Sequence, residues 1–136
     1  MLAAAALARG DPQRAKELSD IAIGFVEQTH RFNPDRMTVL RDRARILERL
    51  GDPDADASLR QAIALCREHP RGPSMLLHVP LHELGALLLR QDRPREAVEP
   101  LRESLRLRCE LYGEGSDEAK ATAALLAEAE GLGPAP

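Results

Sequence analysis

The stretch RGDPQRA at Arg9–Ala15 decides the fold, because the chain returns to its proline at a fixed interval. The stretches LGDPDADA and RQDRPREA repeat the pattern, so that Pro12, Pro53 and Pro94 lie 41 residues apart. A fixed period of this length is the signature of a repeat protein, in which each repeat is one supersecondary unit.

The residues around each proline predict a turn between two helices. Asp11 and Asp52 precede their prolines as helix N-caps, and proline suits the first helical position because the N–H it lacks has no partner there. Gly10 and Gly51 stand where the preceding helix ends and a left-handed residue is favoured. In the third copy, residues 92–94 keep the proline and lose the glycine.

Composition predicts an all-α protein. Ala and Leu together make 43 of the 136 residues, whereas Val, Ile and Thr together make 11, and the straight-chain and small residues are the better helix formers. The aromatic residues are only Phe25, Phe32 and Tyr112, so no stacking platform for single-stranded nucleic acid is available. A net charge of −3 gives no support for nucleic-acid or membrane binding, and no apolar run has the length of a membrane span.

Apolar residues recur at three- and four-residue spacing throughout, which is the period of amphipathic helices. The first helix of each pair is expected at Leu2–Arg9, Thr38–Leu50 and Leu81–Gln91, with Ala3, Ala44 and Gly85 in one register. Gly85 is expected where two helices cross closely, as the small residue of its pair. A seventh helix is expected from about residue 117 to 130, capped by Ser116. The second helices carry three apolar series: Ala15, Leu18, Ala22, Phe25 and Val26; Ala55, Leu59, Ala62, Ile63 and Cys66; Ala97, Leu101, Leu105 and Cys109.

These residues resemble the tetratricopeptide repeat (TPR) family, in its long-period, kinesin-light-chain-like variety. The resemblance rests on Leu84-Gly85 in a first helix, on the Gly-Asp turns, on Ala97, Leu101 and Ser104 in a second helix, and on the stretch at 105–131. It implies a right-handed α-solenoid of three helix pairs plus a C-terminal seventh helix. The expected repeats are about 1–33, 34–73 and 74–115, with a capping helix at 116–131, in a single domain (1–136) that we expect to be a fragment of a longer protein.

The resemblance implies a non-catalytic protein-interaction module, because in this family the first helix of each pair lines a concave groove that binds a peptide or partner helix. The matching positions are Arg41, Arg45, Glu48, His82, Ala86 and Leu89. Six arginines between residues 31 and 49 suggest an acidic ligand, since a guanidinium binds a carboxylate in a bidentate manner. For the arginines, the alternative is a solvated face with intrahelical pairs. For the chain, the alternative is a structural domain of a larger bacterial regulatory protein that packs on a neighbouring domain or forms a homodimer and binds no separate ligand. An exposed LGALLL at 84–89 would favour that packing role.

No other site is predicted. His78 and His82 have the four-residue spacing of a zinc pair, but Pro80 lies between them and Ala86 replaces the second histidine of an H-E-x-x-H motif. No catalytic constellation or cofactor motif occurs, so no enzyme activity, metal or cofactor is expected. Cys66 and Cys109 are expected to be reduced, partly buried thiols, which favours a cytoplasmic protein.

Overall fold

The computed structural model describes Ala3 and residues 9–26, 34–69 and 75–131. Six α-helices have both ends within these ranges, which contain no strand, and the predicted all-α class is confirmed. Of the predicted first helix at 2–9, the described residues include only Ala3, which is helical, and Arg9, which lies in a turn. The helices are α1 (Pro12–Val26), α2 (Pro34–Arg49), α3 (Ala55–Arg67), α4 (His78–Arg90), α5 (Pro94–Tyr112) and α6 (Asp117–Ala129), and a 3-10 turn at Met75–Leu77 precedes α4.

The first turn has the predicted geometry. Gly10 has a φ of 80°, and the Asp11 carboxylate accepts a hydrogen bond of 3.0 Å from the backbone N–H of Arg14, as an N-cap should. The second turn differs, because α3 begins at Ala55 rather than at Pro53. There Asp52 accepts a 2.9 Å hydrogen bond from the N–H of Asp54, so its side chain stabilises the turn and not the first helical turn.

In the third turn, Asp92 occupies the position of the missing glycine. Its φ is 60°, which makes it the one non-glycine residue with positive φ in the described part of the chain. Arg93 is then the N-cap residue of α5, and its guanidinium binds the Glu96 carboxylate at 2.6 and 2.8 Å. Aspartate is tolerated in this left-handed conformation, although glycine adopts it with less strain.

The chain divides into two compact units, Met1–Ser74 and Met75–Pro136. In the first unit, α2 packs against both α1 and α3. The small residues Ala3 and Ala44 are buried, as their register predicted. The predicted apolar series of α3 is confirmed, and the buried hydrophobic residues of this unit are Ala3, Ala15, Met37, Val39, Leu40, Ala44, Ile46, Leu47, Ala55, Leu59, Ala62, Ile63, Leu65 and Cys66.

In the second unit, α5 packs against both α4 and α6. Gly85 allows the α4–α5 approach, because a Cβ at this position would overlap the side chain of the fully buried Leu101. The predicted series of α5 needs a correction: Ser104 is buried, whereas Leu105 and Cys109 are only half-buried. Its buried stripe is therefore rotated by about one residue from the predicted one.

Two prolines lie inside the helices of this unit. Pro80 falls in the first turn of α4, where its missing N–H has no helical partner, so the helix begins at His78, three residues before the expected Leu81. Pro100 lies inside α5, which continues through it to Tyr112. The predicted N-cap of α6 is also confirmed, because the Ser116 hydroxyl accepts a 3.1 Å hydrogen bond from the N–H of Ala119.

Candidate functional site

Three of the predicted groove residues, Arg41, Arg45 and Glu48, follow one another at helical spacing along α2. Arg41 and Glu48 are half-buried, and the side chain of Arg45 is 59% exposed. Arg45 forms an ion pair of 3.5 Å with Asp42 on its own helix, which is the kind of intrahelical contact expected of a solvated face.

Arg43 and Arg41 of α2 interact with neighbouring helices of the first unit. Arg43 forms an ion pair with Asp20 on α1, so this guanidinium joins two helices of the first unit. Burial raises the pKa of the Cys66 thiol on α3, and the nearby charge of Arg41 opposes part of that effect. Cys66 donates to the sulfur of Met37 at 3.3 Å and is buried, in agreement with the predicted packing role.

The remaining groove candidates, His82, Ala86 and Leu89, lie along α4 in the second unit and are all half-buried. Their spacing of four and three residues places them on one face of the helix. His82 Nδ1 lies 2.9 Å from the Thr122 hydroxyl of α6, so its imidazole contacts the last helix of its own unit.

His82 belongs to a group of polar side chains that sequence reasoning missed. The group joins α4, α5 and α6, and we call it the Arg108 cluster: His78, His82, Arg108, Tyr112 and Thr122. Its centre is the half-buried guanidinium of Arg108. Arg108 Nε donates to His78 Nδ1 at 3.0 Å, and Nη1 donates to the Thr122 hydroxyl at 3.0 Å and to the Glu118 carbonyl at 3.1 Å.

Further contacts complete the cluster. His82 Nδ1 lies 3.4 Å from Arg108 Nη1, and the Tyr112 hydroxyl lies 3.4 Å from His78 Nε2. The rings of His78 and Tyr112 meet edge to face, with centroids 5.5 Å apart. The buried Ser104 hydroxyl donates to the His78 carbonyl at 2.8 Å, which adds a further tie between α4 and α5.

Both histidines of the cluster are held neutral. Burial lowers the pKa of His82 to about 4, and the neighbouring charge of Arg108 adds to that effect. The pKa of His78 is lowered by the same two causes. Burial also lowers the pKa of Arg108, although an arginine keeps its charge at any ordinary pH. The cluster therefore carries one positive charge at neutral pH.

One sequence signal could have revealed this cluster. Arg108 follows Leu101 by seven residues and Ser104 by four, which places a charged residue on the buried stripe of α5. A charge in that position needs polar partners, and the histidine pair of α4 supplies them.

The described residues contain no group of three or more side chains that could hold a metal ion. Among the same residues, no helix is both long and apolar enough to cross a bilayer.

Residues 81–118 match the family model for the tetratricopeptide repeat. Solved structures with the same fold include the TPR-like repeats of a Podosopora anserina protein assigned as a kinesin light chain, and a single-substitution variant of it. The TM-scores are 0.76 and 0.77 for the protein and its variant, and both are 25% identical to this chain, of which they cover 96%. The chain spans 63% of the length of each. No curated protein is significantly similar in sequence.

The repeat model matches the α4–α5 pair, and the fold likeness extends over nearly the whole chain. Proteins built from such repeats generally mediate protein–protein interactions and are generally non-catalytic. The match at 81–118 and the fold likeness confirm the predicted resemblance to the tetratricopeptide repeat family in its kinesin-light-chain-like variety.

Proposed function

We propose that the chain is a non-catalytic interaction module that binds an acidic peptide or partner helix through the exposed face of α2. The observation that carries this proposal is the placement of Arg41 and Arg45 one turn apart on a helix of a repeat fold that generally binds proteins. His82, Ala86 and Leu89 on α4 stay proposed partner-binding positions of the second unit by themselves.

The charge of α2 supports an acidic ligand. Two guanidinium groups four residues apart on one helical face can converge on one carboxylate or on two neighbouring ones. The ion pair between Arg45 and Asp42 is long, at 3.5 Å, and Arg45 is mostly exposed, so this contact is weak. A partner carboxylate can therefore displace it at small cost.

The packing alternative receives less support. An exposed apolar stretch at 84–89 would have favoured it, but Leu84, Gly85, Leu87 and Leu88 are buried. Only Ala86 and Leu89 of this stretch are partly accessible. We therefore favour a ligand-binding role over a homodimer formed through this stretch.

The test is the double charge reversal Arg41→Glu/Arg45→Glu. A peptide selected from a random display library against the wild-type chain is titrated calorimetrically into both proteins. We expect the selected peptides to be rich in Asp and Glu, and the double variant to bind about 2 kcal/mol more weakly, or roughly thirtyfold. The wild-type complex should also weaken as salt rises, because these contacts are screened.

The matched control is Arg102→Glu/Arg106→Glu on α5. These arginines are also four residues apart and are similarly exposed, at 55% and 60%, and each pairs with a glutamate of its own helix. The control should bind the peptide nearly as well as the wild type, and all three proteins should melt cooperatively. Equal affinity of the wild type and the α2 variant would remove α2 as the binding face, and sedimentation as a dimer would then support the packing role.

A further inference from the structure

The last helix, α6, is attached to its unit through little apolar surface. Its buried residues are Ala119, Thr122 and Ala129, whereas α4 alone buries four leucines. The ion pair between Arg102 on α5 and Glu130 at the end of α6 is long, at 3.9 Å, and contributes little. Because burial of apolar surface is the main force between packed helices, the attachment of α6 depends strongly on its remaining polar contacts.

These polar contacts come from the Arg108 cluster. Arg108 Nη1 donates to the Thr122 hydroxyl at 3.0 Å and to the Glu118 carbonyl at 3.1 Å. His82 Nδ1 lies 2.9 Å from the same hydroxyl. On its other side, Arg108 Nε donates to His78 Nδ1 at 3.0 Å. The attachment of α6 therefore depends on a guanidinium that lies between two neutral imidazoles.

Protonation of either imidazole opposes this arrangement. His78 Nδ1 accepts from Arg108, so a proton on that nitrogen removes the hydrogen bond and places two donors face to face. An imidazolium at His82 places a second positive charge beside Arg108, whose Nη1 lies 3.4 Å from His82 Nδ1. Both changes favour displacement of the guanidinium from the position in which it binds α6.

The other charged or titratable groups near the two histidines are Glu83 on α4, Tyr112 on α5 and Glu118 on α6. The two carboxylates favour the imidazolium form, but burial and the charge of Arg108 outweigh them, so the pKa of each histidine is lowered. Both histidines therefore bind protons more readily once the cluster has opened to solvent. By linkage, a falling pH favours the open form.

We propose that the Arg108 cluster is an acid-sensitive latch, which releases α6 from the α4–α5 pair when His78 and His82 are protonated. The pairing of α4 and α5 persists, because it rests on apolar contacts that do not titrate, among them the approach of Gly85 to Leu101. The latch lies within the second unit and does not depend on the proposed role of α2.

The test is amide hydrogen exchange of the full chain, followed by NMR between about pH 6.5 and pH 4.5. Protection factors, which are corrected for the intrinsic effect of pH on exchange, report the opening of each helix. We expect the protection of the α6 amides to fall at least tenfold over this range, while that of α4 and α5 changes by less than about threefold. An equal loss in all three helices, or no change in α6, would overturn the latch.

Asparagine in place of both histidines removes the titration and keeps a neutral amide at the two Nδ1 positions. In His78→Asn/His82→Asn, the protection of α6 should stay nearly constant with pH. The matched control is His69→Asn in the first unit, which should keep the wild-type dependence. Wild-type pH dependence in the double variant would assign the opening to carboxylates and contradict the proposal.

The variant Thr122→Val tests the contact itself in a protein that should still fold, because valine keeps the shape of threonine and lacks only the hydroxyl. Its α6 amides should lose protection about fivefold at pH 6.5, since the hydroxyl that meets Arg108 and His82 is gone, while α4 and α5 stay unchanged. Wild-type protection of α6 in this variant would show that the cluster does not hold the helix.

Discussion

Substitution of Gly85 tests the close approach of α4 and α5. A Cβ at this position would overlap Cγ and Cδ2 of Leu101, and Leu101 is fully buried, so it has no space into which to rotate. Overpacking of this kind costs about 1–3 kcal/mol. Alanine regains about 1 kcal/mol of helix propensity over glycine, so Gly85→Ala should lose about 1 kcal/mol net.

The expected loss can be measured by thermal and urea unfolding. A loss of about 1 kcal/mol lowers the melting temperature of a chain of this size by about 4 °C. Gly85→Leu adds three more carbon atoms to the same contact and should lose about 3 kcal/mol. Both variants should keep their helical circular dichroism at low temperature.

Two controls separate the steric contact from other effects of the substitution. Gly115→Ala places a Cβ where no atom lies within 4 Å and should change the stability by less than about 0.5 kcal/mol. In the double variant Gly85→Ala/Leu101→Ala, the new methyl group fills part of the space left by leucine. The loss of stability in the double variant should therefore be about 1–2 kcal/mol smaller than the summed losses of the two single variants. A Gly85→Ala protein that melts at or above the wild-type temperature would refute the close crossing.

Three further substitutions or conditions follow from the described contacts. Ser19→Ala should stabilise the chain by about 1 kcal/mol in urea unfolding, because the fully buried hydroxyl has no hydrogen-bond partner among the described residues; a loss of stability would disprove this. Asp92→Gly should raise the free energy of unfolding measured in urea by about 0.5 kcal/mol, since glycine adopts the φ of 60° with less strain, and an unchanged or lower value would contradict it. His82 has a pKa of about 6.5 in the unfolded chain and about 4 in the folded chain, so between these values only the unfolded chain binds the proton. The free energy of unfolding should therefore fall by about 1–2 kcal/mol as the pH drops through this window. His82→Gln should flatten that pH profile, and a profile as steep as the wild type's would assign the effect to other groups.

The helices and most of their ends could be predicted from the sequence, because the signals are local. Gly10 adopts the left-handed conformation of the turn, and Asp11 caps the helix that follows through a contact within a few residues, as Ser116 does for α6. The 41-residue period predicted the pairing of helices, and the family match at 81–118 confirmed it for the third pair.

Local signals were less reliable at the turns between helices, where more than one residue type can take the left-handed or the capping position. The third turn lacks the glycine, and there Asp92 takes the left-handed position while Arg93 becomes the N-cap residue. Likewise α3 begins two residues after Pro53, because Asp52 uses its side chain in the turn. The choice between such conformations depends on small energy differences that composition does not reveal.

By itself, the sequence determined the helical class, the repeat period and the small residue Gly85 at the α4–α5 crossing, since helix propensity, capping and the 3.6-residue period act over one or two turns. Only the tertiary structure decided the chemistry of the Arg108 cluster. Arg108 meets His78 across 30 residues of chain and Thr122 across 14, and these contacts exist only once α4, α5 and α6 have packed. The lowered pKa of His82 and the absence of a carboxylate at Arg108 among the described residues follow from that packing, because burial and the distances between charges are properties of the folded unit.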